Sequence, residues 1–163
     1  MRFVGIDPST KTGLVILDTA KKKMFCHEIK TTVSGDPQRF MDIAQKVIRR
    51  LESEGNIIIE GFSYGSKGNA VSIQYGIGWL IRSELLRNGM KYREVSPGGL
   101  KKFGSGKGNT SKEDLVLPLF KRWGFEHPSD NVRDAFVMAK IAEALSVNTQ
   151  LTSFQKDVLE NIK

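Results

Sequence analysis

Residues 1–18 read Met-Arg-Phe-Val-Gly-Ile-Asp-Pro-Ser-Thr-Lys-Thr-Gly-Leu-Val-Ile-Leu-Asp, and this opening decides the fold. An apolar run from Phe3 to Ile6 delivers a carboxylate, Asp7, into a turn rich in Pro, Ser, Thr and Gly. The chain returns as a second apolar run, Leu14 to Leu17, which predicts a β-hairpin. Burying a carboxylate at the end of a strand is costly unless a cation or hydrogen bonds compensate it, so Asp7 is a candidate functional residue.

The rest of the chain alternates between predicted strands and helices. After the hairpin we expect a strand (23–30) and then a helix, with Asp36 as its N-cap, Pro37 at its first position and Gly55 as its stop. A strand (57–60), a loop (61–68), a helix (69–87), a strand (91–95) and a loop (96–109) follow. The capping box Thr110–Glu113 opens a further helix that Pro118 should kink, and a last helix runs from Pro128 to Leu145. Three meandering strands followed by strands added through helices indicate an α/β fold with a five-stranded mixed sheet flanked by helices. This order is the RNase H-like arrangement. We predict one such domain over residues 1–145 and a polar, partly helical tail over residues 146–163.

Composition limits the classes of function. The chain has 163 residues, of which 39% are apolar and 26% charged, as expected for one globular domain. It has no apolar run of about 18 residues and no signal-like N-terminus, so we expect neither a membrane span nor export. The single cysteine, Cys26, fits a reducing cytoplasm. The net charge of +7 favours a polyanionic partner.

Acidic residues recur on three elements that are far apart in the sequence. Asp7 and Glu60 each end a predicted strand, and Asp130 and Asp134 lie four residues apart at the start of a helix, on one face. Such a set is typical of a two-metal nuclease, in which carboxylates hold two Mg²⁺ ions about 3.5–4 Å apart. Each acid also has a structural explanation: a turn residue for Asp7, a solvated strand end for Glu60, the helix dipole for Asp134 and an N-cap for Asp130.

Two further features favour nucleic acid as the partner. Four lysines lie in one glycine-rich segment, whose backbone N–H groups can approach phosphates: Lys101, Lys102, Lys107 and Lys112. A flexible, solvated basic loop is the alternative interpretation. Phe62 and Tyr64 follow Glu60 and are candidates for stacking on unpaired bases, or equally for the core.

The helix predicted over residues 69–87 is apolar on two faces. One stripe contains Ile73, Ile77 and Leu80, and the other contains Tyr75 and Trp79. A helix that is apolar nearly all round is buried on both sides. One face would cover the sheet and the other would meet a second subunit, or the helix would be fully internal in a monomer.

Three motifs together resemble the RuvC family of Holliday junction resolvases. They are Ile6-Asp-Pro-Ser-Thr-Lys-Thr-Gly13, Ile59-Glu60 and Asp130-Asn-Val-Arg-Asp-Ala135, and the resemblance runs from residue 1 to about 145. The segment from Ser96 to Lys112 is similar to phage-type members. Sugar-kinase and actin-like ATPases open similarly, but their two subdomains need a longer chain.

The resemblance implies a homodimeric endonuclease that depends on Mg²⁺ or Mn²⁺, with two ions per active site, and makes paired nicks across a four-way junction. It implies that Asp7, Glu60 and Asp134 are metal ligands and that Lys101 and Lys112 lie near the scissile phosphate. The family's fourth acid falls on Asn131, with Asp130 one position earlier as the candidate ligand. The family's loop aromatic falls on Ser63, between Phe62 and Tyr64.

The sequence therefore predicts a metal-dependent, structure-selective DNA endonuclease acting on four-way junctions and other branched DNA such as flaps and forks. The predicted location is the cytoplasm, that of a bacterial host if the protein is phage-encoded. Two alternatives remain: an RNase H-like nuclease acting on structured RNA, and a junction-binding protein without catalysis.

Overall fold

A five-stranded mixed sheet with helices on both faces forms the protein, as predicted. The structure, a computed structural model, describes residues 1–51, 55–64, 68–147 and 149–163; part of the predicted loop 61–68 (residues 65–67) lies outside them. The strands are β1 (Arg2–Asp7), β2 (Thr12–Asp18), β3 (Lys23–Ile29), β4 (Asn56–Glu60) and β5 (Tyr92–Val95). The helices are α1 (Gln38–Leu51), α2 (Asn69–Arg87), α3 (Pro97–Ser105), α4 (Val116–Trp123), α5 (Asp130–Ser146) and α6 (Ser153–Glu160).

The strand order is β3-β2-β1-β4-β5. Strands β1, β2 and β3 form the antiparallel meander, whereas β4 and β5 are parallel to β1. Alternate residues of β1 point to opposite faces: Phe3 joins the core under α5, and Val4 joins the core under α1 and α2. The two apolar layers bury the central strands on both sides and hold their ends in fixed register.

Helix α5 lies directly on β1 and β2 because two glycines leave room for its backbone. A Cβ at Gly5 would stand 1.9 Å from the carbonyl oxygen of Ala135, and one at Gly13 would stand 2.0 Å from that of Asn131. Any side chain at these positions would push the helix away from the sheet. This close approach sets the distance between the start of α5 and the end of β1.

Helix α3 was not predicted, and helices α1, α4 and α5 begin later in the chain than predicted, α5 at Asp130 instead of Pro128. The predicted loop 96–109 contains helix α3, because the Ser96 hydroxyl accepts a hydrogen bond from the Gly99 N–H (3.0 Å), Pro97 occupies the first turn, and Leu100 and Phe103 are buried. Glycines made this stretch resemble a loop in the sequence. Helix α1 begins after Pro37, and the Asp36 carboxylate pairs with the side chain of Arg39 (2.8 Å).

The prediction for the capping box at Thr110 was also wrong. The N–H of Asp114 binds the Ser111 hydroxyl (3.1 Å), which closes a local turn, and α4 begins only at Val116. Pro118 therefore lies in the first turn of α4, where it replaces an N–H that has no partner within the helix, and no kink is required.

The segment predicted as a tail is packed onto the domain. Helix α6 contacts α3, and Val158 is buried in the core under α5. The backbone of Lys163 exchanges hydrogen bonds with that of Glu94 in β5 (2.9 and 3.3 Å). Within the described residues, no helix has the length and apolar character needed to cross a membrane.

Candidate active site

Two carboxyl groups meet at the ends of neighbouring parallel strands. Asp7 is the last residue of β1 and Glu60 the last residue of β4. Because Ile6 pairs with Ile59 in the parallel register, the next residue of each strand lies at the same level. The two carboxyl groups are close enough for each to change the pKa of the other. The sheet alone thus brings together residues that are 53 positions apart in the sequence.

Helix α5 adds a third carboxyl group, that of Asp134, to the same pocket. The pocket has a volume of about 530 Å³. Its lining residues are Asp7, Ser9, Thr10, Glu60, Ala70, Ile73, Gln74, Pro97, Lys101, Lys112, Asn131 and Asp134. Three of the four predicted acids and two of the four predicted lysines therefore face one cavity.

Burial and mutual repulsion raise the pKa values of these acids. Burial, followed by the charges of Glu60 and Asp134, raises the pKa of Asp7 well above its usual range. Burial and the charge of Asp134 raise the pKa of Glu60 to about 7. Burial raises the pKa of Asp134 to about 6, against the opposing effect of Lys112. Such shifts mark a concentration of negative charge that a bound cation would relieve.

Asp130 occupies a different place from the other three acids. Ser129, not Asp130, is the N-cap of α5: its hydroxyl accepts a hydrogen bond from the N–H of Val132 (3.4 Å). The Asp130 carboxylate forms an ion pair with the ammonium of Lys112, which lowers the pKa of Asp130 and raises that of Lys112. Asp130 thus contacts Lys112, which lines the pocket, but Asp130 itself does not line it.

Asn131, the position at which the sequence resemblance places a fourth acid, does face the pocket. Its side-chain amide donates a hydrogen bond to the carbonyl of Lys11 (2.9 Å). Lys11 belongs to the turn that follows Asp7, and this turn is further closed by the Thr12 hydroxyl donating to the carbonyl of Ser9 (2.6 Å). Asn131 therefore ties the start of α5 to the turn beside Asp7.

The four lysines separate into two groups. Lys101, in the middle of α3, and Lys112 line the pocket, and both charges lower the pKa of Glu60 and Asp134. Lys102 points to the other side of α3 and pairs with Asp157 of α6 (3.3 Å). Lys107 is exposed beyond the end of α3.

The two aromatic residues after Glu60 differ in their surroundings: one ring is packed and the other is exposed. The ring of Phe62 packs against Tyr75 (4.9 Å between ring centroids) and Trp79 (4.8 Å) of α2. Tyr64 is 86% exposed. The structure thus engages Phe62 in packing and leaves Tyr64 as the accessible aromatic ring of this loop.

Sequence reasoning missed Arg82, a residue of α2 whose side chain is buried behind Glu60. It donates a hydrogen bond from Nη2 to the carbonyl of Glu60 (2.8 Å). An arginine within a run of apolar helix residues was the signal in the sequence, because arginine is seldom fully buried without a partner.

The acids fit a divalent metal by their chemistry. In the described ranges, no group of three or more His, Cys, Asp or Glu side chains is arranged so that it could hold a metal ion as a protein-only cage. Mg²⁺ needs no such cage, since it usually binds through one or two carboxylates and keeps several waters. The hard oxygen donors of Asp7, Glu60 and Asp134, each with a raised pKa and facing one pocket, match that preference.

Comparison with solved structures finds the same architecture. A structure described as T. thermophilus RuvC in complex with Holliday junction substrate superposes with a TM-score of 0.64 at 19% identity, over 85% of this chain and 90% of that chain. A second, Thermus thermophilus RuvC, gives 0.58 at 18% identity, over 85% and 91%. No family model matches the sequence, and no curated protein matches it significantly. At this identity the likeness establishes the fold, and the predicted RNase H-like fold is confirmed.

Proposed function

We propose that this chain is a metal-dependent endonuclease that resolves four-way DNA junctions and related branched DNA by paired nicks. The observation that carries the proposal is the convergence of Asp7, Glu60 and Asp134 on one pocket that also contains Lys101 and Lys112. Acids that repel one another, next to lysines that can bind phosphate, are what phosphodiester hydrolysis with two bound Mg²⁺ or Mn²⁺ ions requires. The RuvC-like fold supports the same assignment.

The residues of this chain have distinct roles in that reaction. When bound, divalent metal supplies activation of the attacking water and neutralisation of the charge that develops on the phosphate. Asp7 would be the central ligand, since the charges of both Glu60 and Asp134 raise its pKa. Lys101 and Lys112 would bind the non-bridging oxygens of the phosphate and orient it in the pocket.

The substrate is assigned from charge and from the fold. A net charge of +7 favours a polyanion, and one of the structural neighbours was solved with a Holliday junction. Exposed Lys107 and Tyr64 extend the basic and aromatic surface beyond the pocket. DNA strands leading away from the scissile phosphate would run along this surface.

Paired nicks require two copies of the site, and α2 offers the surface for a homodimer. Trp79 and Leu86 of α2 are each 59% exposed, whereas Ile77 and Ile81 on its other face are fully buried against the sheet. A second copy covering Trp79 and Leu86 would place two active sites on symmetry-related strands. The cytoplasmic location and the relation to phage-type enzymes stay predictions from the sequence.

Cleavage of a labelled, mobile four-way junction tests the proposal. The wild-type protein and Asp7→Asn are incubated with the junction, with and without Mg²⁺, beside linear duplex and flap DNA. We expect symmetric nicks that need metal and vanish in the variant. Equal cleavage of flaps would widen the role to branched DNA in general.

Two results would overturn parts of the proposal. Binding of the junction without cleavage in either Mg²⁺ or Mn²⁺ would remove the enzymatic assignment and leave a junction-binding protein. Preferential cleavage of structured RNA in a competition assay would move the substrate to RNA.

A further inference from the structure

The largest fully buried side chain of the described residues belongs to Arg82, and this charge is held behind the candidate site rather than in it. The residue lies on α2 and is 1% exposed. An arginine is seldom fully buried unless it is paired, because burial removes the water that solvates its charge, and its partners therefore indicate what holds it there.

Three hydrogen bonds fix the guanidinium group. Nε donates to the carboxylate of Glu94 on β5 (2.7 Å), and Nη1 donates to the carbonyl of Gly78 on α2 (3.1 Å). Nη2 donates to the carbonyl of Glu60 at the end of β4 (2.8 Å). The planar fork of arginine gives all three bonds fixed directions, which lysine cannot reproduce. One side chain therefore joins α2, β4 and β5 at the point where the β4 strand delivers its carboxyl group.

Arg82 also holds the residues that follow Glu60. Its guanidinium carbon lies 4.3 Å from the centroid of the Phe62 ring. That ring passes close to Gly78, where a Cβ would stand 2.7 Å from a Phe62 ring atom and 3.2 Å from Nη1 of Arg82. One residue further on, the carbonyl of Ser63 accepts a hydrogen bond from the Tyr75 hydroxyl (3.1 Å). The chain from Glu60 to Ser63 is thus anchored along one face of α2.

We propose that Arg82 is a positioning residue that sets the Glu60 carboxyl group for metal binding, by fixing the Glu60 carbonyl and the Phe62 ring against α2. This inference rests on the proposed function, because it assigns Glu60 to the metal. Arg82 does not itself line the pocket and reaches it only through the carbonyl of Glu60. Its effect passes through the backbone of one ligand, in the way that partners of a ligand orient it in metalloproteins.

Mn²⁺ binding to the metal-free protein tests this role without using catalysis. Titration calorimetry compares the wild type with Arg82→Lys, which keeps the charge but loses the fork, and with Glu94→Gln. Glu94→Gln is the matched control, since it weakens the Arg82–Glu94 ion pair yet leaves the bond from Arg82 to the Glu60 carbonyl. Hydrogen exchange of peptides covering residues 56–64 gives a second readout, and circular dichroism checks that each variant is folded.

We expect Arg82→Lys to weaken Mn²⁺ binding by about 10- to 100-fold and to speed exchange after Glu60. Glu94→Gln should bind Mn²⁺ within about twofold of the wild type, since a ligand carbonyl that keeps its partner keeps its place. Equal affinity in Arg82→Lys and the wild type would overturn the proposal, as would equal losses in both variants, which would indicate general loosening.

A second variant keeps the test decisive if Arg82→Lys fails to fold. Gly78→Ala retains Arg82 but places a methyl group against Phe62 and Nη1, and it should reproduce the loss of affinity. Asp7→Asn distinguishes a failure of the metal assignment from a failure of the role proposed for Arg82. If the wild type shows no Mn²⁺ binding that Asp7→Asn removes, the metal assignment fails, and the exchange rates alone then decide whether Arg82 fixes the Glu60 segment.

Discussion

Asp7 and Glu60 lie side by side at the ends of two parallel strands, and each carboxyl group changes the pKa of the other. Burial and the charges of Glu60 and Asp134 raise the pKa of Asp7 well above its usual range, which favours a proton on this pair when no metal is bound. A divalent cation and that proton are therefore alternatives for the same oxygens. When no metal is bound, ionisation of these acids lowers the stability of the folded protein, and several testable properties depend on this.

Glu60→Gln should stabilise the metal-free protein at neutral pH. The folded-state pKa of Glu60 is raised from 4.5 to about 7, so its contribution to stability is complete below pH 4.5 and lost as pH rises through about 7. Glutamine does not titrate, so the variant does not undergo this loss of stability at high pH. We expect it to be more stable than the wild type by on the order of 2 kcal/mol at about pH 8 and nearly equal at about pH 4.5. Urea denaturation in EDTA at several pH values measures the difference.

Added Mg²⁺ provides the control for that experiment. Metal should stabilise the wild type more than Glu60→Gln, because the variant has lost a charged ligand. A difference in stability that does not change with pH would contradict the assignment of the shifted pKa to Glu60.

The ion pair between Asp130 and Lys112 separates two possible roles of Asp130. If Asp130 holds Lys112 in place, Asp130→Asn and Lys112→Ala should slow junction cleavage by similar factors, about 10- to 100-fold, with unchanged Mn²⁺ affinity. If Asp130 is itself a ligand, Asp130→Asn should weaken Mn²⁺ binding as Asp134→Asn does. Single-turnover cleavage and metal titration together distinguish the roles, and we expect the first pattern because Asp130 does not line the pocket.

Gly13→Ala should damage the site from a distance. Its Cβ would stand 2.0 Å from the carbonyl oxygen of Asn131, so the start of α5, which carries Asp134, must move. We expect a loss of about 1–3 kcal/mol in the free energy of unfolding, together with weaker Mn²⁺ binding. Gly98→Ala is the control, since its Cβ meets nothing closer than 3.7 Å. Retention of full metal affinity in Gly13→Ala would show that α5 need not approach the sheet so closely.

The parts of the fold that follow local patterns were predictable. The apolar runs that end in Asp7 and Glu60 gave the central strands, and the spacing of apolar residues gave the range 69–87 for α2, as observed. Helix α3 was missed because its glycines are poor helix formers, whereas burial of Leu100 and Phe103 against the rest of the domain outweighs that cost.

The site was predictable as a set of acids but not as a set of contacts. Nothing local in the sequence places Lys112 against Asp130, since the pair forms only when the turn before α4 lies beside the start of α5. The same holds for Arg82, whose partners Glu60 and Glu94 come from two other strands. Long-range packing decides these contacts, and periodicity carries no information about it.

Adjacent lysines on α3 provide a matched pair. Lys101 lines the pocket, whereas Lys102 pairs with Asp157 on the far side of the helix. Lys101→Ala should slow cleavage of a bound junction by about 10- to 100-fold, because it removes a cation from the reacting phosphate. Lys102→Ala should change the rate by less than about threefold, since an exposed ion pair contributes little. Similar losses in both would mean that α3 acts only as a general basic surface.

The aromatic residues after Glu60 make a further separable pair, since one is packed and the other exposed. Tyr64→Ala removes a ring that is 86% exposed, so stability should stay unchanged while junction binding weakens by about tenfold through lost base stacking. Phe62→Ala removes the ring that packs on Tyr75 and Arg82, and should cost about 2 kcal/mol of stability. Thermal denaturation and fluorescence anisotropy with labelled junction measure the two effects. Unchanged junction affinity in Tyr64→Ala would show that the DNA does not contact this ring, and would place the DNA path on the lysine side of the pocket instead.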